Sequence, residues 1–419
     1  MDRIHVVGNI PLQGKCKIQG SKNAALPILA ACLLTEGTTG LFRCPRIRDV
    51  QSMFSLLRSL GCDVFRTKDA VMIDSTLASF RGDRFCPGEV TGMRSSLCLL
   101  GAMIGRFGRA VLDHPGGCVI GARPIDLHLK MLGEMGVEFS EEEGLLQACA
   151  PHLHGAELTL PFPSVGATEN VILAAVCAEG DTVLLGAARE PEVTALCQFL
   201  ISCGAKIDGV GTDRLFVEGG HRLFGMEYTI PADRIVAGTY FFTCIGAGGQ
   251  IFLEDAPWQE MENVLRVGEA FGAKICTDQC GLYVQGPDRP KAIGTLFTDV
   301  YPGFPTDLQS MVLVTAAAAE GETRICEQIF ENRFQVVEEL QKMGADILLL
   351  DGKTVLIRGI DRLTGSSVRA RELRGGAALV GAGVLARGIT VVDGCEYIER
   401  GYERICADYR ELGVRITGA

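Results

Sequence analysis

Six stretches of this 419-residue chain are nearly charge-free beyond their first residues, and they return at an almost constant interval. They are GSKNAALPILAACLLTEG (20–37), MRSSLCLLGAMIGRFG (93–108), SVGATENVILAAVCAEG (164–180), DRIVAGTYFFTCIGAGG (233–249), PTDLQSMVLVTAAAAEG (305–321) and ELRGGAALVGAGVLARG (372–388). Their closing glycines, Gly37, Gly108, Gly180, Gly249, Gly321 and Gly388, lie 71, 72, 69, 72 and 67 residues apart by subtraction. A fixed period with one design marks an internally repeated architecture. Each copy reads as a helix that starts at small or polar residues and is stopped by its glycine. Pro27 is expected in the first turn, where its missing N–H does no harm. A helix apolar all round must be buried on all sides. None reaches the roughly 18 apolar residues of a membrane span, so two clusters of buried helices are expected.

A second phrase returns between them. LRSLGCDV at 57–64 reappears in variants whose glycines are Gly61, Gly136, Gly204, Gly272, Gly344 and Gly413. It reads as an amphipathic helix ending at a glycine, followed by a strand. Helix–strand alternation predicts an α/β fold with mainly parallel pairing. Six units divide as three and three. The chain opens with a strand pair, Ile4–Val7 and Cys16–Gln19, and its last unit lacks strands after Ile416. The opening strands can complete that unit. The expected domains are 22–231 and 1–21 plus 232–419, with crossings near Gly20 and Pro231 forming a hinge and a ligand enclosed on closure.

Polar side chains collect at the helix starts: Lys22 and Asn23, Arg94 and Ser95, Ser164, Asp233 and Arg234, Thr306 and Asp307, and Arg374. Helix N-termini carry unpaired N–H groups and attract anions. Capping explains any one start; basic residues at several favour an anion site. Loops at one stage of the unit supply Arg123, Arg333 and Arg400, which with Lys22 suit a small dianion. Net charge is −11, which argues against general nucleic-acid or acidic-membrane binding. The start MDRIHVVGN is not that of a signal peptide. Seventeen cysteines, several inside the apolar helices, fit reduced cytosolic thiols used as small apolar residues. No structural metal is expected, and His152 and His154 read as surface residues. Cys118 follows two glycines near His114 and Arg123; it is either a packed cysteine or a mobile-loop thiol activated by positive neighbours. Asp307 is either a cap or a carboxylate that takes a proton from a substrate hydroxyl.

The motifs GSKNAALPILAA, MRSS, HPGGCVIGARPIDLH, PSVGATEN, AAREPEV, GTDRL, FPTDLQ, FENRF and RGYER together resemble the enolpyruvyl transferases, in particular the branch whose acceptor is UDP-N-acetylglucosamine. The resemblance spans the chain in order. It implies a two-domain inside-out α/β barrel of six βαβαββ repeats, three per domain around buried helices. The implied reaction moves the enolpyruvyl group of phosphoenolpyruvate to the sugar 3-hydroxyl, with release of phosphate, by addition and then elimination. That is the first committed step of peptidoglycan synthesis, tied to cell-wall biogenesis, cell shape and cell division. No cofactor or metal is implied, and a cytoplasmic monomer is expected.

The resemblance also implies roles. Cys118 is the general acid and the site of covalent attack by fosfomycin. Asp307 is the base, and Lys22, Arg123 and Arg400 embrace phosphoenolpyruvate. Asn23 and Arg94 contact the reacting region. Arg123, Pro124, Ile125, Asp126 and Leu127, with Ser164, Val165 and Gly166, hold the uridine diphosphate. Ile329 and Arg333 flank the substrate from the other domain, and Glu372 stands at the mouth in place of a usual aspartate. Glu399, Val236, Cys98 and Phe162 also depart from the family pattern. The alternatives are a sugar-nucleotide-binding paralogue without turnover, the shikimate-pathway enolpyruvyl transferase, and a repeat scaffold for protein partners.

Overall fold

The computed structural model describes residues 3–79, 97–113, 125–142 and 144–418. The chain divides into two compact units, one of residues 3–19 and 232–418, the other of residues within 20–231. Each unit has its own apolar core. At the centre of the first lie the helices Arg234–Ala247, Gln309–Ala318 and Leu373–Leu385, which pack against one another. The second is built around Lys22–Ala31, Leu99–Phe107 and Val165–Ala175. These six are buried along most of their length, as a helix without a polar face requires.

The periodic glycine acts differently from the helix stop expected of it. Only Gly108 is itself the left-handed cap, ending Leu99–Phe107. Elsewhere, as at Gly180, Gly321 and Gly388, the helix has already ended. A short extended segment follows, and Glu179, Glu320 and Arg387 each form a parallel bridge, to His154, Lys291 and Thr364. The glycine then turns the chain into the next strand at positive φ, a region that β-carbons disfavour. Pro27 also differs from expectation. Lys22 is the first helical residue, so Pro27 lies in the second turn, where it removes the bond to the Asn23 carbonyl. The second phrase forms as read. Helices such as Arg48–Ser59 and Pro191–Ser202 end at Gly61 and Gly204. The next N–H reaches back to close the last turn, Cys62 to Leu57 and Ala205 to Leu200.

The expected parallel pairing is overturned. In the sheet of Glu157–Thr159, Asp181–Leu185, Arg214–Glu218 and Lys206–Asp208, only the first pair, joined through a buried helix, is parallel. The other two pairings are antiparallel, because the last two strands of the unit form a hairpin that folds back onto the sheet. Four more sheets repeat this order. In one of them Arg3–Val7 pairs antiparallel with both Ile389–Asp393 and Arg415–Gly418, so the opening strand completes the last repeat. Leu12–Lys17 pairs parallel with Gly249–Glu254, and Glu227–Thr229 with Thr38–Phe42. The strand preceding each of the helices 22–31 and 234–247 therefore belongs to the opposite unit. No helix among the described residues is long and apolar enough to cross a membrane.

Candidate active site

In the first unit the helix starts bring charged side chains together. Thr306–Leu308 is a short 3-10 turn feeding the helix 309–318. Its Asp307 carboxylate meets two arginines. Oδ1 accepts from Arg333 Nη2 at 2.8 Å, and Oδ2 accepts from Arg374 Nη2 at 2.8 Å and Nε at 3.1 Å. The arginine side chains are 3% and 5% exposed, the aspartate 26%. Arg374 lies 5.9 Å from the ring centroid of buried Tyr402, a cation–π contact. Burial opposes its charge, but Asp307, Tyr402 and Asp233 more than offset this and raise its pKa above the ordinary arginine value. One guanidinium N–H group of each arginine, Arg333 Nε and Arg374 Nη1, is buried without a hydrogen-bond partner, and so is Gln309 Nε2. Buried donors left without a partner are rare in folded proteins, and three of them beside a solvent-reachable carboxylate mark this cluster out as a candidate site.

Other residues at these starts are caps. Asp233 Oδ1 accepts from the N–H groups of Ile235 and Val236 at 2.9 and 3.0 Å. Glu372 caps the helix 373–385, accepting from Arg374 N at 2.7 Å and from Gly375 N. Its carboxylate, expected at the mouth, is thus turned onto its own helix. Arg234 lies over the Tyr301 ring at 5.6 Å. Arg400 follows the short helix Cys395–Ile398 and is half-buried. Ile329 and Arg333 share the segment after the strand Glu322–Cys326.

In the second unit Lys22 begins the helix that Ser21 caps through Ala24 N at 3.3 Å. Lys22 Nζ lies 2.8 Å from Asp49 Oδ2, with both side chains largely buried. Half-buried Asn23 follows it. Ser164 caps the helix 165–175 through Ala167 N at 3.4 Å, so Ser164, Val165 and Gly166 form its first turn. Gly166 sits against His128: a β-carbon there would lie 3.0 Å from Cε1 and 3.3 Å from Nε2. Asn170 holds that imidazole. Its amide nitrogen donates to His128 Nδ1 and the Leu97 carbonyl at 3.0 Å and to the Gly166 carbonyl at 3.2 Å, while its oxygen accepts from Gly101 N at 2.6 Å. With Nδ1 accepting, a neutral imidazole carries its proton on Nε2, beside the helix start. Ile125 is buried, Asp126 exposed and Leu127 half-buried at the start of Asp126–Gly133. Arg94, Cys118, Arg123 and Pro124 lie outside the described residues.

Several of these residues escaped sequence reasoning. Asp49 interrupts the buried stripe of its helix, and a charge on an apolar face is the signal that marks it. Arg374 reads as one of the polar helix starts, but its pairing with Asp307 spans a separation in sequence that no local pattern reveals. His128 and Asn170 read as ordinary polar residues in the sequence. Buried Glu169 is pushed well above the usual carboxylate range by burial and then by Glu192 and Glu190; its position inside an apolar helix was the available clue.

A family profile described as EPSP synthase (3-phosphoshikimate 1-carboxyvinyltransferase) matches residues 6–408. The chain is 42% identical over 417 residues to UDP-N-acetylglucosamine 1-carboxyvinyltransferase 2 of Caldanaerobacter subterraneus, covering 100% of this chain and 99% of that one. It is 43% identical to the UDP-N-acetylglucosamine 1-carboxyvinyltransferase of Nitratidesulfovibrio vulgaris, covering 99% of both. Among solved structures, the enolpyruvyl transferase NikO of Streptomyces tendae aligns with a TM-score of 0.88 at 21% identity, over 99% of this chain and 98% of that one. EPSP synthase of Acinetobacter baumannii aligns at 0.73 and 17%, over 100% of both. These likenesses show the fold, the inside-out α/β barrel with sheets outside and helices within. Match to the family profile and identity to relatives extend over nearly the whole length, and the chain belongs to the enolpyruvyl transferase family, among the UDP-N-acetylglucosamine 1-carboxyvinyltransferases.

Proposed function

We propose that the protein transfers the enolpyruvyl group of phosphoenolpyruvate to the 3-hydroxyl of UDP-N-acetylglucosamine and releases phosphate. The observation that carries this reading is the full-length identity of 42% and 43% to relatives that bear that name. The acceptor oxygen adds to C2 of phosphoenolpyruvate while its methylene carbon gains a proton. Phosphate then leaves and a proton is lost from the same carbon, restoring the double bond. Asp307 takes the proton of the sugar hydroxyl; its side chain, held in place by Arg333 and Arg374 and still open to solvent, is reachable by a substrate hydroxyl. Cys118 delivers the proton to carbon.

Lys22, Arg123 and Arg400 bind the phosphate and carboxylate of phosphoenolpyruvate, with Asn23 and Arg94 beside the reacting atoms. Arg333 and Arg374 add positive charge beside the reacting groups. Arg123 to Leu127 and Ser164 to Gly166 hold the nucleotide, the latter through first-turn N–H groups. Ile329 flanks the substrate and Glu372 acts as a cap beside it. The unit boundaries at 21/22 and 231/232 serve as hinges. No cofactor takes part. The product enters peptidoglycan synthesis, and the family resemblance is the support for reading the enzyme as a cytoplasmic monomer that serves cell shape and division. Fosfomycin inactivates it at Cys118.

The test is phosphate release from phosphoenolpyruvate with two acceptors in parallel. Release with UDP-N-acetylglucosamine and none with shikimate 3-phosphate is expected. The reverse preference indicates the shikimate-pathway activity, and no release with either indicates a binding paralogue.

A further inference from the structure

We infer that Glu327 is a positioning residue for the proposed base, Asp307, acting through Thr306 and through the segment that carries Arg333. The inference rests on the function proposed above. Glu327 follows the strand Glu322–Cys326, and its own N–H donates to the Lys353 carbonyl at 2.8 Å. It is 1% exposed. A charged group buried this fully must be satisfied by donors around it. Three uncharged donors do so. Oε1 accepts from Ile329 N at 2.9 Å and Phe330 N at 3.1 Å, and Oε2 accepts from Thr306 Oγ1 at 2.9 Å.

The connectivity gives this carboxylate its role. Thr306 immediately precedes Asp307. Ile329 and Phe330 begin the segment that reaches Arg333. Arg333 Nη2 returns to the Thr306 carbonyl at 3.3 Å and to Asp307 Oδ1 at 2.8 Å. The bonds therefore close a ring, from Thr306 to Glu327, along 329–333, and back to Thr306 and Asp307. The Arg374 contact fixes the other oxygen of Asp307 from a separate helix. Glu327 is the buried link that sets how far the 329–333 segment stands from the turn bearing the base. Nothing in this arrangement needs Glu327 to touch substrate.

Hydrogen bonds to an ionised acceptor are stronger than neutral ones, and removing this acceptor orphans two backbone N–H groups and a hydroxyl. A misplacement of about 1 Å at a reacting group costs on the order of 100-fold in rate. Glu327→Ala is therefore expected to lower kcat by about 10- to 100-fold per folded molecule, with the KM for UDP-N-acetylglucosamine changed less than about threefold, because the nucleotide contacts are assigned to the other unit. Glu327→Gln keeps an acceptor for both backbone N–H groups, and its amide can donate to the Thr306 oxygen. It is expected to recover most of the lost turnover, and Thr306→Val to lose part of it.

The measurements are steady-state phosphate release and, for each variant, the folded fraction from tryptophan fluorescence. Should Glu327→Ala fail to fold, the Glu327→Gln and Thr306→Val pair carries the test: Gln close to the unsubstituted enzyme with Val slowed supports positioning. A kcat unchanged in Ala and Val, a Gln variant as slow as Ala, or a loss that appears wholly in KM overturns it. An unsubstituted chain that releases no phosphate overturns the functional reading and this inference with it; an active chain indifferent to Glu327 and Thr306 overturns the inference alone.

Discussion

Replacing Asp307 by asparagine tests the site where its electrostatics are strongest. Two buried guanidinium groups share this one carboxylate, at 2.8 Å on either side. Asparagine keeps one neutral acceptor oxygen and turns an NH₂ group towards the other arginine, leaving both buried guanidinium groups without this counter-ion. Breaking a fully buried pair costs about 3–5 kcal/mol. The carboxylate is a quarter exposed, so water can partly replace it, and the low end, about 3 kcal/mol, applies. For a folding unit of 150–250 residues that lowers the melting temperature by roughly 6–12 °C.

The chain offers its own reporter. Trp258 is its only tryptophan and lies in the same unit, where Nε1 donates to the Asp278 carbonyl at 3.0 Å. Tryptophan fluorescence therefore follows the unfolding of this unit. In the same preparation, kcat is expected to fall by about 100-fold or more, the range of a lost general base. UDP-N-acetylglucosamine affinity stays within a few fold, because its uridine and diphosphate contacts are assigned to the other unit. A melt displaced by less than about 1 °C refutes the argument from uncompensated charge. A large loss of nucleotide affinity with turnover intact refutes the assignment of Asp307 as base.

In the other unit, Asn170→Leu deprives Gly101 N of its acceptor and releases His128. A loss of about 3 kcal/mol corresponds to amide exchange roughly 100-fold faster in the helices 99–107 and 165–175, and unchanged exchange rejects the bridging role. Asp408 is buried, donated to by Tyr240 at 2.8 Å, and faced by Cys16, Arg404, Glu403 and Glu411. Burial first, with Glu411 and Glu403 contributing, lifts its carboxyl from 3.8 to about 6. An acid raised on folding stabilises the native state below its unfolded pKa, and that contribution is lost as pH rises through about 6. Asp408→Asn should flatten stability against pH between about 4 and 6 and be the more stable form at pH 7, as read by tryptophan melts; a parallel pH profile contradicts this. Cys118→Ala is expected to abolish time-dependent inactivation by fosfomycin, measured as residual phosphate release, and inactivation that persists moves the reactive thiol elsewhere.

The sequence by itself determined the sixfold repeat and the buried helices, because a helix without a polar face has only one place to go. It also determined that the amphipathic helices end at glycines, since local backbone geometry demands the left-handed region there. Family motifs named Asp307, Lys22 and the Ser164–Gly166 turn as candidates. What remained hidden depended on partners distant along the chain. The direction of strand pairing is one such feature, because alternation of elements does not show which strands return as hairpins. The exchange of leading strands between units follows from where each edge finds a partner, and that is a property of the assembled sheets. The Asp49 carboxylate on Lys22, the two arginines on Asp307, the imidazole held by Asn170 and the ring closed through Glu327 arise only when separate segments are packed together. A buried charge must be matched by whatever groups the fold brings to it, and only the tertiary structure decides which groups those are.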